Sequence, residues 1–275
     1  MSKSMQLKAK IKNLALKNKI PAQAVLQNFM LERLLERVVT SDYKDKIILK
    51  GGMLIASMIG IGSRTTMDMD ATVRGYPLSD EAIQSAFAEI CSIPLNDDVI
   101  LTLNSITPIR DEDEYGGFRL MINANYETIN TPLKVDITTG DIITPEAVRY
   151  TFHSSFEEKE IEIWAYNIET ILAEKVETIL RRSVLNTRPR DFYDVYILMK
   201  THQPTIDRDI FIAALNATAQ KRASLPALQD QRKILQAIQS DPPMRQRWDL
   251  YCRENFYANS IEFDEVINSL VDILN

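Results

Sequence analysis

The chain has little with which to build a thiol or imidazole centre. Of its 275 residues only two are cysteine and two are histidine. Cys91 and Cys252 match no zinc or redox spacing, so they read as incidental thiols of a reducing cytoplasm, and a structural metal is not expected. His153 and His202 stand alone. No apolar run reaches membrane-spanning length, and the basic opening MSKSMQLKAKIKNLALKNKI lacks the continuous apolar core and small-residue cleavage site of a secretion signal. A cytoplasmic protein without a membrane partner is expected. An excess of positive charge is also missing. With 32 basic against 38 acidic side chains the net charge is -6, which excludes a surface that binds nucleic acid everywhere. Any nucleic-acid site must be local, and one candidate is the acid-free opening with Lys3, Lys8, Lys10, Lys12, Lys17 and Lys19. The plainer reading of that opening is a solvated helix face. Internal repeats and low-complexity segments are absent too.

What is present suffices for a core: 45% of residues are hydrophobic, which suits one large domain or two small ones. Val25, Leu26, Phe29, Met30, Leu34 and Val38 recur at helical spacing after Pro21, so two N-terminal helices are expected. KIILKGG reads as a strand or helix end feeding a tight turn, followed by a buried helix over Met53 to Ile61. MDMDATVRG alternates Met67, Met69 and Ala71 with Asp68, Asp70 and Thr72, which places both aspartates on one face of a strand. Ser79, with Asp80 and Glu81 behind it, caps a helix running through Ile90. DDVILTLNSITPI and GGFRLMINANYE read as strands flanking the turn RDEDEYGG, and TPLKVDITTGD as a strand carrying Asp136. From Asn167 the period becomes 3.6, with Ile168, Ile171, Leu172, Ile179 and Leu180 in one stripe and a second helix from Asp191 to Lys200. The expectation is an α+β module over residues 1–165 and a helical module over 166–275.

Asp68 and Asp70 form the strongest local signal, because two carboxylates side by side on a strand repel and are stabilised together by a divalent cation. Magnesium suits them: it takes oxygen ligands and completes its shell with water and substrate phosphates. A solvated acidic strand edge is the alternative. Gly51 and Gly52 would let backbone amides approach phosphate at a helix start, or would simply make a turn. Lys50 and Arg64 flank this stretch, and Asp136 offers a third carboxylate. Lys175 falls in the middle of the apolar stripe around Ile171 and Leu172. It reads either as a snorkelling side chain or as an ammonium aimed at a triphosphate, with Asp191 as proton acceptor or lysine partner. In RPRDFYDVYIL the acids Asp191 and Asp194 favour the helix dipole, while Arg188 and Arg190 could hold phosphate. Trp164 and Trp248 read as packing residues.

Taken in order, LQNFMLERLLERV, SDYKDKIILKGG, RTTMDMDATVRG, DEYGGFRLMINA, LKVDITTGDIITP, ETILAEKVETILRR and RPRDFYDVYIL are similar to the AbiEii/AbiGii toxin family. These are nucleotidyltransferase-like proteins of bacterial abortive-infection and toxin–antitoxin systems, and the resemblance covers most of the chain. It implies a polymerase-β-like nucleotidyltransferase fold with a mixed sheet, a helical C-terminal part, and a cognate antitoxin encoded alongside. It implies an enzyme that uses an NTP and Mg2+, with RNA, most directly the 3' end of tRNA, as acceptor. The alternatives are transfer to a protein hydroxyl or a non-catalytic nucleotide- or partner-binding protein. By the same resemblance Asp68 and Asp70 match the catalytic metal pair, Gly51 and Gly52 the phosphate-facing turn, Lys175 the catalytic lysine facing the phosphates, and Asp191 the catalytic acid after a basic residue. By their own positions in the sequence Asp136 is expected as a third metal ligand, and Lys50, Arg64 and Arg190, together with the glycines, as nucleotide-binding residues. Two positions depart from the pattern: Met53 follows Gly52 where serine is common, and Arg190 stands where lysine is common.

Overall fold

A computed structural model describes residues 2–77, 79–109 and 116–275. The turn read in RDEDEYGG lies, through residue 115, outside the described residues. The chain divides into two compact units, one formed by the segment up to Asp141 with Val148–Ala165, the other by Ile142–Ala147 with Tyr166–Asn275.

The first unit is built on a seven-stranded sheet of order β3-β4-β5-β2-β1-β7-β6. Its strands are β1 (Ile47–Lys50), β2 (Asp68–Val73), β3 (Val99–Ile109), β4 (Gly117–Tyr126), β5 (Ile129–Thr139), β6 (Val148–His153) and β7 (Glu160–Ala165). Two neighbour pairs, β2 with β5 and β1 with β7, are parallel and the rest antiparallel, so the sheet is mixed. Strand alternation sorts its residues by face. Leu49, Met69, Ala71, Leu120, Ile122, Leu133, Val135, Ile137, Ile163 and Ala165 are all buried. The alternate positions Lys50, Asp68, Asp70, Arg119, Lys134 and Asp136 keep partial exposure. Hydrophobic burial thus fixes the register, and the register in turn fixes where the charges stand.

Helix α1 (Lys3–Asn18) starts where the Ser2 hydroxyl accepts from the Met5 amide, and it buries Leu7, Ile11 and Ala15. Helix α2 (Ala22–Thr40) packs on β5 and β7 and is buried nearly all round. Its charged residues are held in pairs: Arg37 donates to both Asp97 oxygens at 2.7 and 3.0 Å and to the Val99 carbonyl at 2.7 Å, while Arg33 pairs with Glu36 at 3.0 Å. Glu32 accepts from the Ser154 hydroxyl at 2.6 Å and the Ser155 amide at 2.9 Å, and burial pushes its carboxyl up to about 7. Helix α3 (Gly51–Ile59) follows β1 directly, and α4 (Asp80–Ser92) begins at Ser79, whose side chain accepts from the Ala82 amide.

The second unit is helical: α5 (Ile168–Arg182), α6 (Pro189–His202), α7 (Arg208–Lys221), α8 (Leu225–Gln229), α9 (Gln231–Ser240), α10 (Pro242–Glu254) and α11 (Phe263–Leu274). Asn167 caps α5 by accepting from the Thr170 amide at 2.7 Å, and its side-chain amide donates to the carbonyls of Thr144 and Glu146 at 2.8 and 3.0 Å. Glu177 on α5 is fully buried and satisfied by Arg222 at 2.6 Å, Ser224 at 2.7 Å and Arg181 at 3.0 Å, which binds α5 to the end of α7. Trp248 packs against Tyr251 and Phe263 in an aromatic cluster that joins α10 and α11.

Candidate active site

In the first unit the candidate site lies on the polar face of the sheet. Asp70 on β2 is the register partner of Lys50 on β1 and, across the parallel ladder, of Asp136 on β5. Asp136 is in turn opposite Arg119 on β4, and Asp68 is opposite Lys134 on β5. Register partners project to the same face, so Asp68, Asp70 and Asp136 stand together with three basic side chains among them. Arg119 donates to both oxygens of Asp136 at 2.9 and 2.8 Å. This bond, then the field of Asp136, Asp68 and Asp70, raises the guanidinium pKa above its ordinary value. Lys134 meets Asp68 at 2.5 Å. Lys50 reaches Asp141 at 2.5 Å and Thr138 at 2.8 Å.

The glycine turn is joined to this face at Asp70. Gly51 has φ +69°, and a Cβ there would fall 2.1 Å from Asp70 Oδ2. The backbone and the carboxylate therefore approach as only glycine permits. Gly52 has no room for a side chain either: a Cβ would sit 2.9 Å from Thr66 Oγ1 and 3.0 Å from Arg64 Nη2. Lys50, the residue before α3, makes no side-chain cap, and the carboxylate nearest the first turn of the helix is that of Asp70. Arg64 is almost wholly buried and donates to the Thr65 carbonyl. Met53 is buried as well, turned toward the core.

The chemistry of the donors suits magnesium: three carboxylates, all oxygen, on strands beside the glycine turn. Asp136 and Asp68 are each drawn toward a cation, and among the described residues no three His, Cys, Asp or Glu side chains converge as a ready metal cage.

In the second unit Lys175 is not a snorkelling lysine. Its ammonium meets Asp191 at 2.5 Å and Asp194 at 3.0 Å, and these carboxylates are 9% and 0% exposed. The apolar stripe around it is real, and the charge is balanced inside by two acids from the first turns of α6. Arg188 and Arg190 at the start of that helix keep access to solvent, whereas Arg181 is committed to Glu177.

Arg119, Lys134, Thr138 and Asp141 lie within stretches that carry the family resemblance but are not singled out there as site residues. A signal for two of them exists in LKVDITT and GGFRLM: Lys134 is two residues before Asp136, hence on its face, and Arg119 alternates with Phe118 and Leu120. No such signal marks Thr138 and Asp141 as partners of Lys50.

A family model described as the nucleotidyl transferase AbiEii toxin of type IV toxin–antitoxin systems matches residues 33–269. No curated protein sequence matches. Among solved structures, MenT4, a nucleotidyltransferase toxin from Mycobacterium tuberculosis H37Rv, superposes with a TM-score of 0.59 at 16% identity, covering 97% of this chain and 98% of that one. JHP933 from Helicobacter pylori superposes with a TM-score of 0.51 at 17% identity, covering 92% and 90%. With its α+β architecture and mixed sheet, the chain thus has the polymerase-β-like nucleotidyltransferase fold.

Proposed function

The chain belongs to the AbiEii family of nucleotidyl transferase toxins of type IV toxin–antitoxin systems, and on that premise we propose that it transfers a nucleotide from a magnesium-bound NTP to RNA, with the 3' end of tRNA as the first acceptor to test. Membership makes it a nucleotidyltransferase and the toxin partner of an antitoxin. Among the described residues no helix is long and apolar enough to cross a membrane, in keeping with a site of action in the cytoplasm.

The observation that carries the catalytic reading is the close approach of Gly51 to Asp70, because it ties the glycine turn at the start of α3 to a carboxylate of the proposed metal pair. Asp68 and Asp70 would hold the magnesium with Asp136 beside them. The bound ion would supply compensation for the triphosphate charge and for the departing pyrophosphate. The α3 amides at Gly51 and Gly52 would seat phosphate oxygens without help from a hydroxyl at Met53. Arg64 would act by holding that turn from beneath, and Lys50 by its charge beside Asp70. Lys175 and Asp191 enter by family resemblance and Arg190 by its place before Asp191, the two cations toward the triphosphate and the acid toward the acceptor hydroxyl. The functional division would follow the sequence expectation, a nucleotidyltransferase core over 1–165 and a helical module over 166–275.

The transfer itself is balanced. The acceptor oxygen bonds to the α-phosphorus, the bond from that phosphorus to the bridging oxygen breaks, the hydroxyl proton passes to a carboxylate, and pyrophosphate leaves. Positioning and charge compensation supply most of the rate. Purified protein is to be incubated with each labelled NTP, Mg2+ and total cellular RNA and protein. Label is expected in small RNA, and Asp68→Asn or Asp70→Asn should abolish it together with growth inhibition. Label in protein alone would refute the RNA acceptor. Undiminished toxicity of the doubly substituted protein at equal expression would refute the metal pair.

A further inference from the structure

Asp136 and Asp68 on the sheet face are each held by a cation of the chain itself. Arg119 grips Asp136 through two hydrogen bonds of 2.9 and 2.8 Å, and Lys134 meets Asp68 at 2.5 Å. Both basic residues are the direct ladder neighbours of the acids they hold. These pairs are therefore set by strand register, not by loop accident. The exposures differ at one pair and not at the other: Asp136 is 18% exposed against 43% for Arg119, whereas Asp68 and Lys134 are alike at 37% and 31%. Both cations are long side chains with solvent to swing into, and both acids are short and fixed to a strand.

We propose that Arg119 and Lys134 are resident counter-ions of the carboxylate face, which a divalent cation must displace from Asp136 and Asp68 when it binds. The inference rests on the reading of Asp68, Asp70 and Asp136 as the metal face. It gives two residues that the sequence reading left without a role a defined part in that site. Without them three carboxylates on adjacent register positions would repel, and the sheet would carry that repulsion whenever metal is absent. With them the charge of the metal-free face is largely offset, at the expense of metal affinity. Once displaced, the guanidinium and ammonium lie beside the site with their charges available to phosphate oxygens, so the ion should enter more readily with a nucleoside triphosphate than alone.

The test is a titration of the full chain with Mn2+, reading free ion by electron paramagnetic resonance without nucleotide. Arg119→Gln and Lys134→Gln are each expected to bind Mn2+ roughly two- to fivefold more tightly than wild type, the range for one partly exposed ion pair. Arg119→Lys, which keeps the charge, is expected to stay nearer to wild type. Unchanged or weaker binding in both glutamine variants would overturn the inference, weaker binding meaning that Arg119 braces Asp136 for the ion. Asp68→Asn with Asp70→Asn separates the two levels. If that protein still binds Mn2+ as wild type does, the metal face itself is wrong. If it loses binding while the glutamine variants gain none, only the counter-ion role fails. Circular dichroism of each variant confirms the fold, which substitution at partly exposed strand positions should leave intact.

Discussion

Replacing Lys175 by methionine should destabilise the helical unit by about 3 kcal/mol. The side chain keeps its aliphatic length, so packing against Ile171 and Leu172 is conserved and the loss is that of the ammonium. Its departure leaves Asp191 and Asp194, which are 9% and 0% exposed, side by side without the cation. Removing one partner of a buried ion pair costs roughly 3–5 kcal/mol. Both acids stand in the first turns of α6, whose N-terminus stabilises negative charge by about 0.3–1 kcal/mol with or without the lysine. The lower end of the range is therefore expected. The two tryptophans allow the measurement to be confined to the right unit, because Trp164 lies in the sheet unit and Trp248 in the helical one. In a Trp164→Phe background, urea unfolding followed by Trp248 emission should show the midpoint fall by roughly 1–3 M, taking a slope of about 1–3 kcal/mol per M. Adding Asp194→Asn to Lys175→Met should recover part of the loss, since one uncompensated charge is removed. An unchanged midpoint with an unchanged slope would refute the buried-triad argument. The same experiment bears on function, because lost activity in Lys175→Met speaks for a phosphate role only in protein shown to be folded under the assay conditions.

Gly51→Ala should abolish transfer and destabilise the sheet unit by about 1–3 kcal/mol, since alanine is strained at φ +69° and its Cβ would collide with Asp70; wild-type turnover in this variant would contradict the close turn. Glu32, raised from 4.5 to about 7 by burial, binds its proton in the fold at pH values where the unfolded chain has lost it. Its contribution is thus complete below about pH 4.5 and declines as pH rises to about 7, on the order of 3 kcal/mol in all, and Glu32→Gln should flatten that part of the stability–pH curve. Affinity for tRNA should fall steeply with salt, and changing the exposed Lys8, Lys10, Lys12 and Lys17 to glutamine should reduce the log–log slope by roughly 0.7–0.9 for each phosphate that is no longer neutralised; an unaltered slope would move the RNA site elsewhere.

The parts of this structure legible in the sequence are those where one periodicity decides the outcome. DMDATV alternates, and the strand Asp68–Val73 buries Met69 and Ala71 while Asp68 and Asp70 keep partial exposure. Ser79 is the cap of α4, and the stripe through Ile171, Leu172, Ile179 and Leu180 is buried in α5. The buried helix after KIILKGG begins at Gly51, two residues earlier than the apolar run suggests, because the glycines themselves form its first turn. Partnerships between distant residues are not legible. Arg119 with Asp136 and Lys50 with Asp141 depend on which strands become neighbours, and the order of a mixed sheet is not written in any one strand. Trp164 is a similar case: its sequence context suggests packing, and it lies between the guanidinium groups of Arg74 and Arg149, at 4.7 and 4.3 Å from its ring. Lys175 stands out as a lone cation in a hydrophobic stripe because the acids that balance it come from another helix.

The parallel pairing of β1 with β7 sets how late in synthesis the sheet can be completed. Leu49 must wait for Ala165 before its ladder closes, an interval on the order of ten seconds at ordinary elongation rates. During that time the nascent chain presents an incomplete sheet with Ile47, Ile48 and Leu49 along an open edge, the kind of surface that invites mispairing or a chaperone. By the time β7 arrives, residues 142–147 have also been made, and they belong to the unit whose helices are not yet synthesised. A polypeptide stopped at residue 141 would consequently lack an edge of its own sheet, and one begun at residue 166 would lack the carbonyls that receive Asn167. Neither half is self-contained, and the sheet that carries the aspartates is complete only once Ala165 has been made.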